Sequence, residues 1–238
     1  VGLLSADGRP EESVAALAEL VERNPENVGL RETLLQSQIA RRDYEAAEVS
    51  LRKLSEIQPN KVGRALDVVR FVYRLEGVEA GVAELDSRIE AASDAREAWP
   101  FTRAKIALFY DEERDDAAEQ LLREAISEIA TGSEAHEARV MLARQRLVAG
   151  DRAAAEALID EVLAADDTND GALVLRARLQ LNDRQYDTAI ETLRKAANEN
   201  RESVEALQLL GTAHRLNGNR QLAGERIADA ARVSGYAA

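Results

Sequence analysis

The stretch GALVLRARLQLNDRQYDTAIETLRKAANENRES, residues 171–203, decides how this chain is read, because EALQLLGTAHRLNGNRQLAGERIADAARVSG, residues 205–235, repeats its pattern. Ala177 and Gly211 are 34 residues apart, and so are Ala189 and Ala223, Leu193 and Ile227, and Ala196 and Ala230. A fixed period of this size marks an array of supersecondary units, each too small to bury its own apolar face. Small side chains at set places let helix axes approach closely, and the large residue fills the gap between them.

Working outward, Ala143, Ala155, Ile159 and Val162 lie 34 residues before the Ala177 set, with Gly150-Asp151 at the turn between two helices. Ala118, Leu122 and Ala125 are offset by 37, which places an insertion near Thr131–Ala135. Near the start, Tyr44, Ala47, Leu51, Leu54 and Pro59 take the same places. The segment Val62–Ser93 fits in length but not in letters, with Gly81 and Leu85 filling the small and large slots. Ahead of Asn27 there is half a repeat, whose helix ends at Asn24-Pro25. The expected organisation is one domain over 1–238: a half repeat 1–27, then repeats 28–61, 62–98, 99–135, 136–169, 170–203 and 204–238.

Each repeat should hold two helices, since apolar residues recur at three- and four-residue spacing, as in Leu158–Ile159–Val162–Leu163. First helices are expected near Val28–Arg41, Val62–Leu75, Trp99–Asp111, His136–Ala149, Gly171–Asn182 and Val204–Asn217. Second helices are expected near Pro10–Arg23, Tyr44–Gln58, Val78–Ala92, Asp115–Ala130, Arg152–Ala165, Tyr186–Asn198 and Arg220–Ser234. Ala, Leu, Glu and Arg dominate, and aromatics are 4% of the chain, so the class is all-α.

The pattern resembles the tetratricopeptide repeat family: a small residue at repeat position 8, Ala at 20, a large apolar residue at 24, Ala at 27, and Pro or Asp at 32. The resemblance covers almost the whole chain. It implies an α-solenoid of antiparallel helix pairs, a right-handed superhelix whose concave face is lined by the first helix of each pair. The family's usual aromatic at position 4 is missing; Arg31, Ala65, Thr102, Arg139, Leu173 and Leu207 stand there. The terminal proline survives only at Pro25 and Pro59. Beginning on Val1-Gly-Leu-Leu and ending on Tyr236-Ala-Ala without polar caps, the chain reads as part of a longer bacterial array.

Several function classes are disfavoured by composition. The net charge is −13, the reverse of what phosphate neutralisation needs, so nucleic acid is not an expected partner. With no cysteine, thiol catalysis, disulfides and Cys-ligated zinc are out. His136 and His214 lie in different repeats and form no triad or metal constellation, so structural or surface roles are expected. Carboxylates at Asp166-Asp167-Thr168-Asn169-Asp170 have loosely calcium-like spacing but lack the glycine and closing glutamate of an EF-hand. Trp99 is expected to pack. No catalytic, cofactor or metal site is expected, nor any apolar run long enough to enter a membrane.

Binding is the remaining chemistry. The resemblance implies that positions 2, 5, 9, 12 and 13 of each first helix face the groove. Position 9 reads Gln36, Arg70, Ala107, Arg144, Arg178 and Thr212; Tyr73 and Tyr110 take position 12; Arg74 and Arg103 fall at other groove positions. Expected partner-binding residues are therefore Gln36, Arg70, Tyr73, Arg74, Arg103, Tyr110, Arg144 and Arg178. Guanidinium forks suit carboxylates, which points to an acidic protein or peptide, with an anionic polysaccharide as a second class. The same arginines would equally pair with acids of neighbouring helices, such as Asp67 or Glu137. The family's Lys/Asn carboxylate clamp is not reproduced, since Glu32, Gln36 and Arg103 occupy its places. The two functions expected are a partner-binding scaffold and a spacer that self-assembles by repeat stacking. Arg- and Ala-rich arrays resemble bacterial envelope proteins that scaffold exopolysaccharide or outer-membrane assembly, which favours periplasm or envelope over cytoplasm.

Overall fold

The structure is a computed structural model that describes residues 10–235. The expectations about Val1–Leu4 and Tyr236–Ala238 lie outside the described residues. Thirteen helices follow one another, with no strand among the described residues. They are α1 (Pro10–Arg23), α2 (Val28–Ala40), α3 (Tyr44–Ile57), α4 (Val62–Glu76), α5 (Val78–Ala91), α6 (Ala95–Asp111), α7 (Asp115–Ile129), α8 (Ser133–Val148), α9 (Arg152–Ala165), α10 (Asp170–Asn182), α11 (Tyr186–Glu199), α12 (Val204–Leu216) and α13 (Arg220–Val233). The chain divides into two compact units, up to Leu108 and from Phe109 onward.

Helix starts are written in short polar residues. Asn27, Asp43, Asp151, Asn169, Ser203 and Asn219 each accept the backbone N–H three residues on, satisfying a donor the helix leaves orphaned. Two helices begin earlier than the sequence suggests. α6 starts at Ala95 rather than Trp99, because the Asp94 side chain accepts from Arg96 and Glu97 N–H while Glu97 accepts from Ser93 N–H. That cap carries the helix through Pro100, which forgoes one backbone bond. α8 starts at Ser133 rather than His136, since Gly132, at φ 97°, turns the inserted residues straight into a helix. Arg139 then ties the insertion down, donating to the Ala130 and Ala135 carbonyls.

Between the helices of a repeat the turn needs one residue in left-handed conformation. Gly150 and Gly218 supply it at φ 81° and 83°, while Arg184, in the same register, adopts φ 61°. The residue after each turn donates back to the preceding helix, as Asp151 N–H does to Arg146 O at 2.8 Å and Asn219 N–H to His214 O at 2.8 Å.

In the first unit, Leu35, Ala47, Leu51, Leu54, Val68 and Val72 form one core cluster across α2, α3 and α4. Arg52 of α3 bonds both Glu48 and Glu84, joining α3 to α5. Gly81 faces Tyr73: an added Cβ would lie 3.0 Å from the tyrosine Cβ, so the small slot of this lettered-out repeat is filled because α4 and α5 nearly touch. In the second unit the ladder is buried rung by rung. Ala118, Leu122, Ala143, Ala155, Ile159, Ala177, Ala189 and Leu193 are fully buried. Trp99 is buried as packing, at 3% exposure. Beyond sequence-adjacent helices, α8 packs against α10 and α10 against α12. First helices of successive repeats thus lie side by side, and this creates the groove described next.

Candidate binding groove

Because α8, α10 and α12 run side by side, residues 34 apart line up across them. Arg144, Arg178 and Thr212, all at position 9, rim a groove of about 480 Å³. Its apolar lining comes partly from positions 12 and 13, Leu147, Val148, Leu181 and Leu216, and partly from Leu175, Leu179 and Leu209. Val148 is 79% exposed and Leu216 47%, apolar surface that packing has not used.

The two arginines converge on one carboxylate. Glu205, near the start of α12, accepts from Arg144 Nη1 at 3.1 Å and Nη2 at 3.2 Å, a fork from two repeats away. It also accepts from Arg178 Nη2 at 2.8 Å. Burial alone would raise the Glu205 pKa; the hydrogen bonds from Arg144 and Arg178 outweigh it and hold the carboxyl below its ordinary range. Two guanidinium groups share one carboxylate, so the groove keeps a local excess of positive charge that is already partly spoken for.

The other expected site residues lie apart from this cluster. In the first unit, Gln36 and Arg74 are exposed, and Arg70 is exposed and paired with Asp67 on its own helix. Tyr73 is half-buried with its base against Gly81, and Arg103 is exposed. Tyr110 is half-buried in the second unit; its hydroxyl is buried without a hydrogen-bond partner, and desolvation first, then the nearby Asp115 charge, pushes its pKa up. Sequence reading named Arg144 and Arg178 but not Glu205, Leu147, Val148, Leu181 or Leu216. The signal was present, because Glu205 stands at position 2 and the apolar four at positions 12 and 13.

Among the described residues no cluster of His, Asp or Glu could hold a metal ion, and no helix is long and apolar enough to cross a membrane. By sequence, no family model and no curated protein matches the chain. Solved structures do match in three dimensions. A tetratricopeptide repeat protein from Parabacteroides merdae is similar over 97% of this chain and 89% of its own, with TM-score 0.58 at 14% identity. The chain has the tetratricopeptide-repeat fold. PilF of Pseudomonas aeruginosa shares it over 90% of this chain and 94% of its own, with TM-score 0.55 at 19% identity. PilW, a widely conserved type IV pilus biogenesis factor, shares it over 88% and 94%, with TM-score 0.54 at 18% identity. In this tetratricopeptide array the groove falls on first helices, where the fold leaves side chains free of the stacking core.

Proposed function

We propose that the protein is a non-catalytic interaction scaffold that holds a segment of a partner protein in the groove of α8, α10 and α12. The observation that carries this reading is the pair of exposed apolar residues Val148 and Leu216, flanked by half-buried Leu147 and Leu181, beside a charged rim. An amphipathic segment laid there covers these residues with apolar side chains and sets its polar edge against Arg144 and Arg178. A carboxylate on that segment competes with Glu205 for the same two guanidinium groups, which keeps an acidic peptide as the partner class and an anionic polysaccharide as the second. A place in envelope assembly, in the periplasm, is supported by the Arg- and Ala-rich composition and by the fold likeness to a pilus biogenesis factor. Peptides selected for binding to the wild-type chain are expected to carry regularly spaced apolar residues and to lose binding to the double variant V148E/L216E. Peptides that bind both proteins equally well would remove the groove from consideration.

One observation favours a second reading, a spacer that stacks on other repeats. Ile227 is 51% exposed, whereas its register equivalents Ile159 and Leu193 are fully buried. A stacking neighbour would cover it. Sedimentation at several concentrations separates the readings, since a self-stacking array grows with concentration and Ile227→Lys abolishes the growth.

A further inference from the structure

On the other side of α12 lies a second cleft, of about 370 Å³, between α11 and α13. Its floor is apolar, formed by Leu207 and Leu210 of α12 with Val233 at one end. Its walls are cationic: Arg194 and Arg201 on one side, Arg226 and Arg232 on the other, with Asp229 between. Asp229 forms ion pairs with Arg226 at 3.0 Å and with Arg232 at 3.1 Å, and Glu225 lies 3.9 Å from Arg226. Arg194 and Arg201 have no carboxylate partner among the described residues. In a chain of net charge −13, four guanidinium groups against Asp229, with Glu225 near Arg226 alone, is a local inversion of sign.

The repeat register shows that the fold does not require it. Moved back by 34 residues, the places of Arg194 and Arg201 hold Asp160 and Asp167, and those of Arg226 and Arg232 hold Thr192 and Asn198. There the charges close on themselves: Arg176 pairs with Asp160, and Lys195 with Asp167 at 2.5 Å. The same backbone geometry is therefore neutralised in one repeat and left cationic in the next. Helix packing gains nothing from placing four guanidinium groups together, since like charges at short range repel. A ligand that brings negative charge offsets that cost.

We infer that this cleft is a second binding site, independent of the groove above, for an acidic protein segment. Carboxylates on the segment take the forks of Arg194 and Arg201, and an apolar side chain of the segment covers Val233. Exposed Val233, 39% exposed at the end of the cleft, favours a peptide over a small oxyanion, which would satisfy the rim and leave that apolar surface in water.

The test uses the whole chain and a fluorescent peptide with glutamates on both sides of a leucine. Its controls are the same peptide with glutamines, and inorganic pyrophosphate as competitor. The glutamate peptide is expected to bind, to weaken as salt is raised, and to lose about tenfold in affinity to R194E/R201E, two exposed reversals whose folding far-UV circular dichroism verifies. V148E, which alters the other groove, should leave that affinity unchanged. The inference is overturned if R194E/R201E binds the peptide as the wild type does, or if the glutamine peptide binds equally well. It is also overturned if V148E takes the binding away, or if pyrophosphate binds where the peptide does not.

Discussion

Two glycines on adjacent helices offer a sharp check on the packing ladder. Gly211 of α12 faces α13: a Cβ there would lie 2.9 Å from Ile227 Cγ1 and 3.2 Å from the Ala223 carbonyl oxygen. Gly224, in α13 itself, would meet nothing within 4 Å. Replacing either by alanine gains the same helix propensity, about 1 kcal/mol. At Gly224 that gain stands alone, and G224A should be more stable by about 1 kcal/mol, or ~3 °C in Tm for a chain of this length. At Gly211 the new methyl must push back Ile227, which is half-exposed and can yield, and Ala223 O, which belongs to the backbone and cannot. Overpacking of this kind costs about 1–3 kcal/mol, so G211A should come out neutral to about 2 kcal/mol less stable. Stacked repeats open locally, so the measurement of choice is native-state hydrogen exchange of amides in α12 and α13, supported by urea unfolding. If G211A gains as much protection as G224A, close approach of the two helices is not what the small slot provides, and the reading of the ladder fails with it.

Other outcomes follow from the same contacts. E205Q should leave stability within about 1 kcal/mol in urea unfolding, since the pairs it weakens are partly exposed, while strengthening binding of an acidic peptide to the α8–α10–α12 groove severalfold in calorimetric titration. R184G replaces a side chain held at φ 61° in the register where Gly150 and Gly218 stand, and should raise stability by about 1 kcal/mol in thermal unfolding. P100A should restore the bond to Arg96 O and stabilise α6 by about 1–2 kcal/mol, the gain in the helix being reduced by a freer unfolded chain. His214 is 5% exposed, and its pKa is lowered by burial first and then by Arg194 and Arg226, with Glu225 opposing. The folded state therefore binds fewer protons there than the unfolded chain. This contribution is complete above the ordinary histidine value and lost as pH falls below it toward the lowered one. The urea midpoint of the wild type should drop from neutral pH to pH ~5, and H214Q should flatten that drop.

How far the letters carry depends on what kind of contact is at stake. The ladder was legible because its contacts repeat: Ala155 and Ala189 do the same work one period apart, so each confirms the other. Gly81 and Leu85 sit in the right slots of the least regular repeat for the same reason. The starts of α6 and α8 lie a few residues before the expected Trp99 and His136, because the Ser93–Asp94–Glu97 cap stands ahead of the repeat's expected start and an insertion conceals the other. The groove's arginines were visible, yet their partner was not. Glu205 is 61 residues from Arg144 and 27 from Arg178, and reading one position at a time down the array never sets position 9 beside position 2 of a later repeat. A spacing rule would have helped: Arg52–Glu84, Arg64–Glu32 and Asn217–Asp187 are 32, 32 and 30 residues apart, all close to one repeat.

That spacing also says where function is to be sought. Residues that stack the repeats are nearly the same in the last rungs, because a change of volume there is felt at once in the next helix. Residues between rungs are free to differ, and they do so in sign. One cleft is closed by Arg176–Asp160 and Lys195–Asp167, while its successor presents Arg194 and Arg201 unanswered. On the groove side the contrast runs the other way, with Arg144 and Arg178 meeting inside the chain on Glu205. Total charge therefore says little about this protein's partners. An acidic chain has paired its cations on one side of α12 and left Arg194 and Arg201 without a carboxylate on the other.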